Sequence, residues 1–177
     1  FAEQTLFFAL PGPRRDGHDF IESLYDQGVR CFVVNRGIDL SKLKAYCTGA
    51  IFFEVPNCLA ALQKIASYHR SKFDMPVIGI TGSNGKTTVK EWIYHLLADQ
   101  LKVQRSPKSY NSQLGVALSL LQLPLEGNLA LIEAAVSKPG EMEKLHAMIA
   151  PNYVVITNTN AGFRHEFDTD QAYKVAL

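Results

Sequence analysis

Val77-Ile78-Gly79-Ile80-Thr81-Gly82-Ser83-Asn84-Gly85-Lys86-Thr87-Thr88 runs from a short apolar stretch through a glycine-rich turn into a segment with helical spacing. Strand, glycine turn and helix, in that order, are the context that makes a phosphate-binding loop credible. Gly82 and Gly85 let the backbone curl so that successive N–H groups face one phosphate. The N-terminus of the following helix adds its dipole. Lys86 brings a point charge to the outer phosphates, and the Thr87 hydroxyl is a magnesium ligand by type. The stretch therefore predicts a site for ATP with Mg2+. Gly82, Ser83, Asn84, Gly85, Lys86, Thr87 and Thr88 would hold the nucleotide. A strict Walker loop also carries glycine where this chain has Ile80, so the loop is a variant.

Downstream, the apolar run Leu129-Ala130-Leu131-Ile132 ends in Glu133. An acidic residue at the C-terminal end of a parallel strand lies at the crevice where open α/β sheets bind ligands. Glu133 there is either a metal ligand, direct or through water, or a solvated strand-end carboxylate. Tyr153-Val154-Val155-Ile156 is a further strand, and Thr157-Asn158 at its end reaches toward the same crevice. His165 lies just beyond, as an exposed loop histidine or a further site residue. Helical spacing is present over 87–101, with Val89, Trp92, Ile93, Leu96 and Leu97 expected inward. It recurs around Leu114 to Leu121 and over 141–149.

Upstream, Thr5-Leu6-Phe7-Phe8-Ala9-Leu10 reads as a buried strand closed by Pro11-Gly12-Pro13. Arg14, Arg15, Asp16 and His18 follow as a polar cluster that, read alone, is a solvated loop. Phe20, Ile21, Leu24 and Tyr25 recur at helical spacing until Gly28. Strands at 30–34 and 50–55 and a helix through Leu59, Leu62, Ile65 and Ala66 complete an alternating pattern. That alternation is the α/β signature. Ser71-Lys72-Phe73-Asp74-Met75-Pro76 is a candidate linker, giving domains at 1–73 and 74–177. The expected fold is a small N-terminal α/β domain followed by an incomplete, mostly parallel P-loop-type sheet flanked by helices.

Composition narrows the partners. The 177 residues are 47% hydrophobic and 20% charged, as in a chain that can build a core. A net charge of +1 supplies no field for nucleic acid or an anionic membrane, so an anion has to be bound by a local site. Cys31, Cys47 and Cys58 have no metal-type spacing and read as free thiols in a reducing compartment. No run approaches the ~20 apolar residues of a membrane-spanning helix, and no secretory leader is visible, so the cytoplasm is expected. The chain opens at Phe1 without methionine and stops at Leu177 in a helix-like stretch, as a piece of a longer protein would.

Residues 80–88, Ile-Thr-Gly-Ser-Asn-Gly-Lys-Thr-Thr, resemble the T-G-[TS]-N-G-K-T-T loop of the Mur ligases, in which the position of Ile80 need not be glycine. Three further segments resemble the D-alanyl-D-alanine-adding branch of that family. Leu6-Phe7-Phe8-Ala9-Leu10 with Asp16-Gly17-His18-Asp19-Phe20-Ile21 is similar to its UDP-sugar-binding N-terminal domain. Ser109-Tyr110-Asn111-Ser112-Gln113-Leu114-Gly115-Val116 is similar to its N-x-N-N-x-x-G-V segment. Residues 133–142, beginning Glu133-Ala134-Ala135 and ending Pro139-Gly140-Glu141-Met142, are similar to its E-x-G-A-[NS]-x-P-G-E-[IM] segment. The wording is closest to versions fused to an alanine racemase, although no racemase region is in the chain.

The resemblance implies an ATP-dependent ligase of peptidoglycan precursor synthesis, an acid–amino-acid ligase acting in the cytoplasm. ATP would phosphorylate the carboxylate of UDP-N-acetylmuramoyl-tripeptide, and the amine of D-alanyl-D-alanine would displace phosphate from the acyl phosphate. Lys86, Glu133 and Asn111 would be the catalytic residues, Thr87 and Glu133 the magnesium ligands, and Asn158 a further nucleotide contact. The family has three domains, of which this chain would hold most of the first and about half of the second, so it would be inactive alone. The sequence also departs from the pattern. In the family's T-N-[IV]-G-x-A-H block the histidine is a magnesium ligand, but Phe163 stands there and His165 is the nearest substitute. The glycine expected near Ala135 is missing, and the family's carbamylated lysine falls near Leu177, with Lys174 nearby. Another amide ligase of the superfamily, of folylpolyglutamate synthase type, and a non-catalytic nucleotide-binding module are the alternatives.

Overall fold

The computed structural model describes residues 2–159. Two sheets, each wholly parallel in its pairing, alternate with helices as the sequence pattern predicts. By compactness the chain divides into Phe1–Leu62 and Gln63–Leu177.

In the first unit β1 (Leu6–Phe8), α1 (Ile21–Asp26), β2 (Cys31–Asn35), α2 (Ser41–Tyr46) and β3 (Ile51–Val55) follow in order. The sheet order is β1-β2-β3. Phe32 is fully buried, edge-on to Phe7 at 6.2 Å and stacked on Phe52 at 5.5 Å. Ile21, Val29, Val34, Leu40 and Cys47 close the core around it. The polar cluster after β1 is not a solvated loop throughout, because the His18 side chain is only 8% exposed. Its Nδ1 lies 2.5 Å from Asp16 Oδ1, and its Nε2 accepts the Asn35 N–H at 3.2 Å. That acceptor role places the ring proton on Nδ1, facing the carboxylate. Gly17 between them is required, since a Cβ there would meet the backbone nitrogen of Leu10 at 2.5 Å.

α3 (Cys58–Arg70) runs through the division between the units. Its second half bonds into the second unit: Arg70 donates from Nε to the Ile149 carbonyl at 2.7 Å and from Nη2 to that of Ala150 at 2.9 Å. Phe73 and Met75 in the stretch after it are buried. Compactness and composition thus mark different points along the chain, the second of them at 73/74.

The second unit continues with β4 (Val77–Thr81), α4 (Lys86–Leu97), β5 (Val103–Arg105), α5 (Gln113–Gln122), β6 (Leu129–Glu133), α6 (Glu141–Ile149) and β7 (Tyr153–Ile156). Its sheet order is β5-β6-β4-β7, with β4 in the interior. All five residues of β6 are buried. Leu129 and Leu131 join Ile80 under Val89, Ile93 and Leu97 of α4. Ala130 and Ile132 alternate to the other face. Burying Leu131 and Ile132 contributes about 1.5–3 kcal/mol apiece. α4 turns Lys86, Val89, Lys90, Ile93 and Leu97 inward, a 3.6-residue stripe. Trp92 and Leu96, expected inward, lie on its flank and are 65% and 75% exposed.

α6 begins and ends on left-handed residues, Gly140 and Ala150. No side chain caps its start. Instead the Glu141 carboxylate accepts from Ser137 N at 2.7 Å, Ser137 Oγ at 3.1 Å and Lys138 N at 3.0 Å. Burial pushes its pKa up, but those bonds outweigh burial and hold it below the ordinary value. A depressed carboxylate stabilises the fold above its unfolded pKa and loses that contribution as pH falls through the folded one. Glu141→Gln should therefore lower the melting temperature at pH 7, and the difference from wild type should close below the usual glutamate range. Ala150 has φ 42°, a conformation that costs a residue with a Cβ about 1 kcal/mol. Ala150→Gly should raise the melting temperature by a few degrees, as read by calorimetry.

Candidate functional site

The site begins where β4 runs out. β4 pairs with β6 so that Ile80 lies opposite Glu133, and with β7 so that Thr81 lies opposite Ile156. The phosphate-type loop, the carboxylate of Glu133 and the Thr157-Asn158 pair therefore emerge together at the C-terminal edge of the sheet. This is the side on which parallel α/β sheets bind ligands.

The loop is clamped from β7. Asn158 accepts the Ser83 N–H on its main-chain oxygen at 3.0 Å and the Asn84 N–H on Oδ1 at 3.0 Å. Its Nδ2 donates to the Asn84 carbonyl at 3.2 Å, and Thr157 Oγ1 donates its one proton to the same carbonyl at 2.5 Å, with the Thr81 carbonyl 3.2 Å away as the alternative acceptor. Gly82 makes this approach possible. Its φ is 128°, and a Cβ there would stand 2.3 Å from Thr157 Oγ1. Gly85, at φ 79°, caps α4 without a side chain. The first turn of the helix therefore keeps its positive end for an anion. Lys86 is buried, and its Nζ donates to the carbonyls of Gly82 at 2.6 Å and Ser83 at 3.2 Å. Burial lowers the pKa of this lysine, and the Glu133 charge opposes that shift.

Glu133 is 1% exposed and fully engaged. Thr87 Oγ1 donates to its Oε2 at 2.9 Å and Asn111 Nδ2 to its Oε1 at 2.7 Å. Lys90 Nζ lies 3.5 Å from Oε2. The Glu133 main-chain N–H donates to Ser106 Oγ at 3.2 Å. The solvated-carboxylate reading of Glu133 does not hold. A hydroxyl and a carboxylate oxygen this close are hard donors of the kind magnesium takes, with the remainder supplied by water and phosphate. Among the described residues no group of three or more His, Cys, Asp and Glu side chains gathers, so a metal here depends on that mixed set.

The structure thus brings Gly82, Ser83, Asn84, Gly85, Lys86, Thr87, Asn111, Glu133 and Asn158 into one neighbourhood. Thr88 sits exposed on the first turn of α4. His165, with Phe163 and Lys174, lies outside the described residues. Asn158, expected as a nucleotide contact, bonds to the loop itself. Lys90 was not foreseen as a site residue. Its signal was a lysine one turn after Lys86, on the inward stripe of an otherwise apolar helix face.

Comparison with known proteins identifies relatives of the chain. The Mur ligase middle domain matches residues 80–176, and the domain described as Mur ligase family, catalytic domain, matches residues 2–73. The UDP-N-acetylmuramoyl-tripeptide–D-alanyl-D-alanine ligase of Borreliella burgdorferi is 35% identical over 170 residues, covering 95% of this chain and 37% of its own length. The Treponema pallidum enzyme of the same name is 35% identical over 173 residues, covering 96% and 38%. MurF from Acinetobacter baumannii matches in structure with a TM-score of 0.86 at 26% identity, over 99% of this chain and 38% of its own. MurF from Thermotoga maritima, in complex with ADP, gives 0.83 at 28% identity, over 99% and 40%. The chain spans little more than a third of the length of these curated relatives.

If Asn158 shapes the loop, Asn158→Ala should weaken nucleotide binding about tenfold, the loss of one or two hydrogen bonds. A calorimetric titration reads this, with circular dichroism expected to show unchanged helix content.

Proposed function

The chain belongs to the Mur ligase family, and from that premise we propose that it forms the nucleotide- and metal-binding part of an ATP-dependent ligase that adds D-alanyl-D-alanine to UDP-N-acetylmuramoyl-tripeptide. The observation that carries the reading is the meeting of Lys86, Thr87, Asn111 and Glu133 at one edge of the sheet. The names of the relatives supply the two substrates, and the ADP complex of the Thermotoga maritima protein supports ATP as the third.

The chemistry follows from the donors. A carboxylate oxygen of the tripeptide attacks the terminal phosphorus of ATP, and ADP leaves. The amine of D-alanyl-D-alanine then attacks the acyl carbon, an amide bond forms, and inorganic phosphate departs with the amine proton lost to solvent. Both steps gather negative charge on phosphoryl oxygens, so the site has to supply fixed positive charge. Lys86 supplies it by exchanging its loop carbonyls for phosphate oxygens, and the amides at the start of α4 add their dipole. Thr87 and Glu133 would hold magnesium, which when bound offsets the charge on the transferring group. Asn111 directs its amide at the same carboxylate and so ties the segment before α5 to the metal position. The N-terminal unit would bind the UDP-sugar portion. The reaction's nucleotide substrates belong to the cytoplasm, and no helix among the described residues is long and apolar enough to cross a membrane.

Lys86→Ala should weaken Mg-ATP binding ten- to a hundredfold, the value of a charge-assisted hydrogen bond. In the full-length protein, phosphate release should require ATP, UDP-N-acetylmuramoyl-tripeptide and D-alanyl-D-alanine together. Binding of Mg-ATP without any affinity for the UDP-peptide would redirect the reading to another substrate of the superfamily.

A further inference from the structure

Lys90 has none of its surface exposed, yet it sits beside the carboxylate assigned to the metal. A buried ammonium is costly unless it is paired and hydrogen-bonded. Here its Nζ donates to the Ser106 carbonyl at 2.9 Å and to the Lys108 carbonyl, lies 3.5 Å from Glu133 Oε2, and is 3.6 Å from Glu91 Oε1. Lys108 itself has φ 48°, an unfavourable conformation for a non-glycine residue. Its carbonyl is turned to the lysine all the same. The ammonium is therefore fixed in place from several sides.

We propose that Lys90 is the resident counter-cation of the metal site: it balances Glu133 while no metal is bound, and so makes the site take a divalent ion only together with the negative charge of a nucleotide. The inference rests on Glu133 being a metal ligand. Its physical basis is direct. Glu133 already receives Thr87, Asn111 and Lys90. A dication entering alone would meet a fixed positive charge in surroundings that screen it poorly. Nucleotide phosphates reverse that balance. Lys90 is on this view a positioning residue that sets the order of loading and need not touch substrate.

The test uses Mn2+ as the probe, its free concentration followed by electron paramagnetic resonance in the full chain with and without ADP. Lys90→Gln removes the charge but keeps a donor for the two carbonyls, and Lys90→Arg keeps the charge. Without nucleotide, wild type and Lys90→Arg should bind Mn2+ weakly. Lys90→Gln should bind it about tenfold more tightly, and ADP should then strengthen binding less than in wild type. A folded Lys90→Gln that binds Mn2+ no better than wild type, or less well, would overturn the proposal and leave the lysine as a tie for residues 106–108. Lys90→Met serves the same purpose should the glutamine variant fail to fold. Adding Glu133→Gln to the charge-free variant should abolish the gained binding. Persistence of that binding would show that the metal lies elsewhere, which is a failure of the underlying site assignment and not of the role of Lys90.

Discussion

A carboxylate placed inside a protein has to be met by donors, and the demand of Glu133 organises the second unit. β6 is buried along its whole length, so the residue that ends it cannot reach water by bending away. Each of its contacts fixes a different part of the chain. Thr87 brings the start of α4, Asn111 brings the segment before α5, and Lys90 brings residues 106 and 108 through their carbonyls. Removing any one donor leaves the others to satisfy a buried charge, at a cost of about 3–5 kcal/mol when a paired ion is lost. The same contacts fix the position of the carboxylate that the proposed metal site depends on.

The phosphate loop is shaped by a second constraint. Two of its amides, those of Ser83 and Asn84, are engaged with Asn158. In the proposed site, recognition of phosphate would therefore fall on the helix end beyond Gly85 and on Lys86. This explains why the glycine of a strict Walker loop can be replaced by Ile80. In this chain that position is the penultimate residue of β4, fully buried and paired beside Glu133, and it is part of the strand and not of the loop. Gly82 and Gly85 are the positions where the backbone takes a positive φ, and there glycine is needed.

Much of this was legible in the sequence because local chemistry and fold agree at those points. The apolar runs at 77–80, 129–132 and 153–156 are too short for helices and end in polar residues, which locates the strand ends and hence the crevice. What escaped is equally physical. β5 is three residues long and Val103 is its one aliphatic residue, so it carries no period. α2 is six residues with no side-chain cap, held by its contact with the first unit's core through Leu43. Trp92 and Leu96 were expected inside because hydrophobicity says nothing of phase on a helix already anchored by Lys86 and Lys90. Lys90 was missed for the converse reason. A lysine is ordinarily a surface residue, and its burial here is made tolerable by long-range partners, Glu133 and the carbonyls of Ser106 and Lys108, that no local pattern announces.

The two units solve one problem in the same way. A loop at the C-terminal end of a parallel strand has no ladder to hold it, and a binding loop has to be held before its ligand arrives. In the first unit the loop after β1 is fixed by His18, which takes the Asn35 N–H at the end of β2 while facing Asp16. Asn35 in turn accepts the Cys58 N–H at 2.8 Å, which carries the restraint into the start of α3. In the second unit the loop after β4 is fixed by Thr157 and Asn158 at the end of β7. In both, a glycine with no room for a Cβ, Gly17 or Gly82, lets two backbones come close enough to bond. The motif residues around these glycines therefore serve first to hold the backbone still. For a loop that binds a ligand, freedom given up in advance is freedom it no longer has to lose when that ligand arrives.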